Sequence, residues 1–418
     1  MMTRLVTKTE LGVYFLVLQI VTVVRLFTEW GMPTGLQKLI AVADANEAPE
    51  QTRRYTITSA KILLTTTAVA SAIIVACWPF IIGPMFEEPL MEPFWWLAVA
   101  WLLLHGVEDM ASAYFRARRQ IGRAALVIGL PRSLFLLIAL TVALLMSGTL
   151  SLEWLMLLVL ISWVITAFGA TGVVSADIFR MPVQRTESRY ETAREILAYC
   201  TPLMLHKGAV VLFTSANLWI LGIYRPTEDV AVFGAVSRLA ASMALVMGVI
   251  NKVLPARVAK LYAEGKIKQM EGLMRDASTV ACVVAVPIAL ACILFGREIL
   301  DVAFTDDYGE GALALAMLAT GQFLSVFVGP AGFVMQMSGG HITLLKVSIV
   351  TAVINVILAL CLVPIWGIDG AAATATVSLF IQNVMLIVIV RRRHGVWTVP
   401  RVPKALARRL RTSHESDD

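Results

Sequence analysis

Runs of about twenty apolar residues recur along almost the whole chain, and nothing else in it limits the fold so severely. A run of that length, coiled as a helix, crosses the ~30 Å hydrocarbon core of a bilayer with its backbone polar groups satisfied internally. Such runs stand at 11–28, 60–82, 94–115, 122–146, 150–174, 199–222, 230–250, 278–300, 311–335, 342–363 and 368–390. Composition agrees. Hydrophobic residues make up 58% and charged residues only 15% of the chain, where a soluble domain carries about a quarter charged. The first run lacks a small-residue cleavage motif and many spans follow it, so it does not read as a signal peptide. The expected fold is an all-α polytopic membrane protein with eleven visible spans. Five cysteines lie in or beside spans without paired spacing and read as small packing residues.

Positive charge is divided unevenly between alternate loops. Lys38, Arg53, Arg54 and Lys61 follow the first span, "YFRARRQIGR" the third, and "FRMPVQRTESRYETAREI" the fifth. The seventh is followed by "NKVLPARVAKLYAEGKIKQMEGLMRD", and the eleventh by "RRRHGVWTVPRVPKALARRLR". The intervening loops, among them "GPMFEEPLMEP" and "TDDYGEG", have almost none. The positive-inside rule places the basic set, and with it the C-terminus, in the cytoplasm. The N-terminus would then lie outside, although it carries Arg4 and Lys8 with no helix before it.

An internal repeat bears on that anomaly. Shifting the first half by 217 to 219 residues superimposes its elements on the second: Tyr14 lands on Phe233 and Gly122 on Gly339. The turn "SGTLSLEW" lands on "PIWGIDGA". Repeats of this kind build transporter lobes, and an even helix count per lobe makes them parallel. The expected plan is two pseudo-symmetric lobes of nominally six helices, with the first helix of the first lobe missing. A native eleven-span chain is the rival reading. The boundaries expected are an N-terminal lobe at 1–175, a cytoplasmic linker at 176–198, a C-terminal lobe at 199–391 and a basic tail at 392–418. In the linker, Ser188 stands three residues before Glu191, a capping-box spacing that predicts a surface helix leading into the membrane. "AEGKIKQMEG" predicts an amphipathic loop helix.

The order "ELGVYFLVLQIVTVVRLFTEWGMPTGLQKLIA", "VAVFGAVSRLAASMALVMGVINKVLPARVAKL" and "LVPIWGIDGAAATATVS…RRRHGV" resembles the polysaccharide and O-antigen flippases. These belong to the multidrug/oligosaccharidyl-lipid/polysaccharide exporter superfamily. The resemblance covers essentially the whole chain and rests on no single diagnostic motif. It implies two lobes around a cationic cavity that alternates between inward- and outward-open states in the bacterial inner membrane. The implied cargo is a glycan on a polyprenyl pyrophosphate, with membrane lipids and the polysaccharide polymerase or export machinery as partners. No cofactor is expected.

Charges within spans are expensive and so are functional candidates. Arg25, Arg132, Lys207 and Arg238 are the intramembrane cations, and they outnumber the carboxylates there, which suits a pyrophosphate. Pro131 beside Arg132 is expected to interrupt its helix, and Arg238 to sit within the outer half of its span, with Gln19 as its repeat counterpart. His105, Glu108 and Asp109 share one helical face by their spacing. They read as a coupling site or as an internal ion-pair set holding Arg25 or Arg132. Asn217, Asn355 and Gln382 are expected to hydrogen-bond between helices, and Gly329, Pro330 and Gly332 to supply a bend.

The chain has no "GxxxxGK[ST]" loop and no metal-spaced His/Cys cluster. Its basic residues follow the topology, so nucleic acid is not an expected partner. Besides the flippase, two function classes stay open: a multidrug or other small-molecule exporter, and a membrane glycan polymerase or ligase. The outer loops are short for the latter.

Overall fold

The computed structural model describes residues 5–86, 89–146, 150–182, 189–243, 261, 266–304, 306–337 and 340–401. Among these residues nine helical stretches are long and apolar enough to span a bilayer. Ile342–His394 alone contains two of the expected spans, joined at Gly367, whose backbone (φ 54°, ψ −125°) is not helical. The expected span at 230–250 lies partly outside the described residues. The protein is a multi-pass, all-α membrane protein.

The chain divides into two compact units, Met1–Ala231 and Val232–Asp418. The first opens with α1 (Lys8–Glu29), capped by Thr7. The Thr7 hydroxyl accepts from the Glu10 amide, and the Glu10 carboxylate accepts from the Thr7 amide at 2.9 Å. This reciprocal box satisfies two otherwise orphaned donors. The other Glu10 oxygen accepts from the Leu152 amide, 3.2 Å away. Repeat-equivalent residues meet here. Thr9 donates to Glu228 at 2.6 Å, holding that carboxyl below its usual range, and a Cβ on Gly12 would lie 2.1 Å from the Thr227 carbonyl oxygen.

Trp30 and Gly31, both at positive φ, end α1 and turn the chain into α2 (Met32–Ala45), which has proline in its first turn. α3 (Pro49–Phe86) and α4 (Trp95–Ala117) follow. A turn at Ile121–Ala124 and a π-helical turn at Ala125–Gly129 lead to α5 (Leu130–Met146). Pro131 therefore sits in the first turn of α5, where its missing N–H costs little. The break precedes the proline instead of centring on it. α6 (Leu152–Phe179) and α7 (Arg189–Tyr224) complete the unit. α1 packs against α3, α4 and α7, and α4 also touches α2 and α6. Trp101 of α4 meets Tyr14 of α1 edge-on, with centroids 5.9 Å apart.

From Arg189 a single helix, with Pro202 inside it, runs through to Tyr224, so no separate surface helix precedes the span among the described residues. Ser188, the expected cap, lies outside them.

α8 (Thr227–Ala241) crosses from one unit to the other. The second unit continues with α9 (Ile267–Leu294), α10 (Gly296–Ala303), α11 (Ala312–Val328), α12 (Ala331–Met337) and α13 (His341–His394). α11 packs against both α9 and α13. The residues "IKQMEG", expected in a loop helix, are the first turns of α9. Gly329 ends α11 at φ 77°, so the Gly329–Pro330 step is an observed interruption. The chain beyond α13 straps this break. Ser278 donates to the Thr398 carbonyl and Thr398 donates to the Val328 carbonyl, each at 2.6 Å, and Val396 is buried.

Asn355 is fully buried and neither of its amide atoms has a hydrogen-bond partner, and Asn217 Oδ1 is likewise unpartnered. Neighbouring Asn383 bonds back to Leu379 of its own helix, at 2.9 Å. The interhelical hydrogen bond expected of Asn355 is thus not formed among the described residues. Cys200 and Cys292 are buried as expected, but Cys361 is exposed.

Gly31 and Gly395 share a φ of +68°, but a Cβ on Gly31 would sit 2.7 Å from Cys200 O and Met204 N, whereas one on Gly395 meets nothing within 4 Å. Gly395→Ala should therefore cost only the left-handed penalty, about 1 kcal/mol, and Gly31→Ala at least twice that through added overlap, roughly 2–4 kcal/mol. Thermal unfolding of the two purified variants in detergent checks the order.

Candidate functional site

Three membrane-embedded cations of the first unit are each held by carboxylates. Arg25, near the C-terminal end of α1, donates from Nε to Glu29 Oε1 at 2.7 Å, one turn away. Its Nη2 reaches Asp109 Oδ2 of α4. Lys207 of α7 approaches Glu29 from another side, with Nζ 2.5 Å from Oε2. One carboxylate thus bridges α1 and α7, one oxygen to each cation. The Glu29 side chain is 0% exposed, against 20% for Arg25 and 36% for Lys207. Its position follows from local structure. α1 ends immediately after it at Trp30, whose indole N–H donates to Thr201 of α7 at 3.0 Å. Thr66 of α3 donates to the Thr28 carbonyl at 2.7 Å. The end of α1 is fastened on two sides around the charged group.

Beside this lies a second pair. Arg132, in the first turns of α5, donates to Glu108 Oε2 of α4 at 3.0 Å. Its guanidinium lies 4.3 Å from the centroid of the Trp163 ring of α6. His105 of α4 stacks on that same indole, with centroids 3.6 Å apart and planes 22° from parallel. The cation–π contact and the carboxylate share the cost of keeping a guanidinium out of water. Glu108 Oε1 and His105 Nδ1 are both buried without a hydrogen-bond partner among the described residues.

Of the residues singled out in the sequence, Arg25, Lys207, Asp109, Glu108, Arg132 and His105 all belong to these two adjoining groups, with α4 common to both. The face shared by His105, Glu108 and Asp109 makes α4 the hub: it pairs with α1 through Asp109, with α5 through Glu108 and with α6 through His105. Arg238 is placed differently. It lies exposed in the last turn of α8 and in the second unit, and the rest of its expected span, 244–250, falls outside the described residues. A cation there complements the helix C-terminus.

Two residues of the site were missed. Glu29 sits one turn after Arg25, and the i,i+4 rule applied to that pair would have found it. Trp163 lies in an unbroken apolar run, where nothing in the pattern sets one aromatic apart. The expectation that cations outnumber carboxylates also changes: Arg25, Lys207 and Arg132 face Glu29, Asp109 and Glu108 in equal number. Chemically, this is a neutral network whose positive members are the more exposed at Glu29. It can exchange partners with an incoming anion or, through its carboxylates, with a cation.

Comparison with known proteins adds the lineage. Residues 1–313 match the model of a family described as polysaccharide biosynthesis protein. The chain is 20% identical over 245 residues to the "Probable low-salt glycan biosynthesis flippase Agl15" of Haloferax volcanii, covering 58% of this chain and 50% of that protein. It is 24% identical over 172 residues to the "Capsular polysaccharide biosynthesis protein CapF" of Staphylococcus aureus, covering 41% of each. The chain thus matches about half or less of the length of these curated relatives. An inward-facing multidrug resistance MATE family transporter of the MOP superfamily superimposes with a TM-score of 0.76 at 16% identity, over 93% of this chain and 90% of that one. At that identity the likeness is one of fold.

Burial sets the expected energetics of the network. Glu29→Ala leaves Lys207 without its carboxylate and should cost about 3 kcal/mol. Asp109 is 37% exposed and its Arg25 keeps Glu29, so Asp109→Ala should cost no more than about 1 kcal/mol. Chemical or thermal unfolding of both variants in one detergent decides, and equal losses would contradict the assigned hierarchy.

Proposed function

We propose, from the premise that this chain belongs to the polysaccharide biosynthesis protein family, that it is a flippase for a glycan carried on a polyprenyl pyrophosphate. The observation that carries this reading is the cluster of Arg25, Lys207 and Arg132, held inside a bundle of membrane-spanning helices of a transporter fold. A lipid-linked glycan has an apolar tail content in the bilayer and an anionic pyrophosphate that is not. Only the headgroup needs a protein path, and fixed cations offset its desolvation. The names of the two curated relatives, one a glycan biosynthesis flippase and one a capsular polysaccharide biosynthesis protein, support the same cargo class.

In this reading the pyrophosphate enters from the cytoplasmic leaflet near Arg25, Arg132 and Lys207 while the polyprenyl tail stays in lipid. Two lobes, 1–175 and 199–391, then rock so that the site faces the other side, with Arg238 on the exit path and the Gly329–Pro330 break supplying flexibility. The setting is the bacterial inner membrane with the basic tail, 392–418, in the cytoplasm, and the polysaccharide polymerase or export machinery takes over the product. Export of a cationic small molecule is the second reading. The equal share of carboxylates in the network and the MATE-type fold favour it over any enzymatic role.

Deleting the gene in its own cell should make intact lipid-linked glycan accumulate in the cytoplasmic leaflet. Complementation with the Arg132→Glu, Lys207→Glu double variant should restore membrane-inserted protein but not export. Normal export from that variant would remove the cation assignment. Unpolymerised glycan on the outer leaflet after deletion would point to a polymerase, and an unchanged glycan with heightened drug sensitivity to the exporter.

A further inference from the structure

Glu29 does something the flippase reading does not by itself require: its two carboxylate oxygens take the two cationic donors that a phosphate group would seek. Oε1 accepts from Arg25 Nε at 2.7 Å and Oε2 from Lys207 Nζ at 2.5 Å. The donors come from different helices, α1 and α7, as they would around a small bidentate oxyanion. Arg25 is anchored independently through Asp109, so its position does not depend on Glu29 staying bound. Burial runs the same way. The carboxylate is 0% exposed, while both its cations keep exposed surface from which a second anion can approach.

We infer that Glu29 is a resident counter-anion, and that a phosphate-type dianion loads the site by displacing it from Arg25 and Lys207. This rests on the proposed function only for the identity of the cargo.

Displacement has a consequence that follows from burial. A carboxylate left unpaired in the interior is costly by several kcal/mol and is neutralised instead. Glu29 therefore takes up one proton from the buffer, leaving its conjugate base, as its cations turn to the incoming anion, the carboxylate becoming a carboxylic acid able to donate a hydrogen bond. The charged and titratable groups facing this region are Arg25 on α1, His105, Glu108 and Asp109 on α4, Arg132 on α5 and Lys207 on α7. His206 adjoins Lys207 in the chain. α3 and α6 add the neutral Thr66 and the Trp163 ring. Asp109 keeps Arg25, and Glu108 keeps Arg132. The displaced group is Glu29 alone, because it is the one carboxylate here that gives up two cations.

Sulfate is a suitable probe, since it stays fully ionised at neutral pH and any proton taken up then belongs to the protein. Titration calorimetry on the full chain in nanodiscs, run in two buffers of different ionisation enthalpy, reads affinity and proton uptake together. Wild type should bind with uptake of about one proton. Glu29→Gln, which removes the charge that both cations share while Arg25 keeps Asp109, should bind about tenfold more tightly with no uptake, a gain equivalent to ~1.4 kcal/mol. Lys207→Gln should bind much more weakly in either background. If Glu29→Gln does not yield folded protein, Glu29→Asp replaces it, and its shorter arm should tighten sulfate severalfold with uptake retained. Equal affinity of wild type and the Glu29 variant, unchanged uptake in Glu29→Gln, or no sulfate binding by either protein would overturn the inference. If the exchange is seen while gene deletion leaves lipid-linked glycan unaltered, the cargo assignment falls and the exchange stands. Glycan flipping without the exchange leaves the function and removes the counter-anion role.

Discussion

A carboxylate with no exposed surface, set between an arginine and a lysine on helices long and apolar enough to span a bilayer, is the constraint on which the end of α1 depends. Each charge placed near the centre of a bilayer costs about 2.5–3.5 kcal/mol on insertion scales, so none of the three is tolerable alone. Glu29 brings the end of α1 to α7 through Lys207, and Arg25 brings it to α4 through Asp109. The left-handed turn at Trp30–Gly31 lets α1 stop directly after Glu29, and the glycine admits the backbone of α7 where a Cβ would collide. Helix end, glycine position and charge pairs therefore meet at one place, where Glu29 is, among the described residues, the sole carboxylate paired with Lys207 and one of two paired with Arg25.

The Arg132 group obeys the same rule by other means. Its guanidinium divides between a carboxylate and an indole face, and His105 on the same indole fixes the ring. Buried ion networks are poor devices for stability, since well-packed apolar residues of like volume often serve as well or better. Under the proposed function such a network would serve to handle charged cargo and not as a staple.

Much of this was legible in the sequence, and the exceptions have physical causes. Spans are written plainly because hydrocarbon demands about twenty apolar residues in a row. Their joints at Gly31 and Gly367 fall between those runs, but hydropathy does not encode the positive-φ backbone that makes each turn. The segment from Arg189, expected as a linker helix, is continuous with the following span in one helix to Tyr224. In the site, the spacing of His105, Glu108 and Asp109 correctly named a common face, because helical periodicity fixes faces. Which cation each residue would meet depends on the packing of α1, α5 and α7 against α4, and one-dimensional spacing does not encode that. Glu29 was overlooked because it borders a basic loop, where a carboxylate passes for surface.

Whether the Glu29 network handles cargo or merely holds helices together is decided by removing its charges without leaving any of them unpaired. The triple variant Arg25→Met, Glu29→Leu, Lys207→Met replaces the network with apolar side chains of comparable length, a change that buried ion clusters generally survive structurally. The measurement is leaflet-resolved flipping of a polyprenyl-pyrophosphate-linked glycan in proteoliposomes containing the folded triple variant. If the network carries the cargo, the variant is monodisperse and thermally stable, and flipping is lost. Flipping at the wild-type rate would show that these charges are structural and that the cargo passes elsewhere.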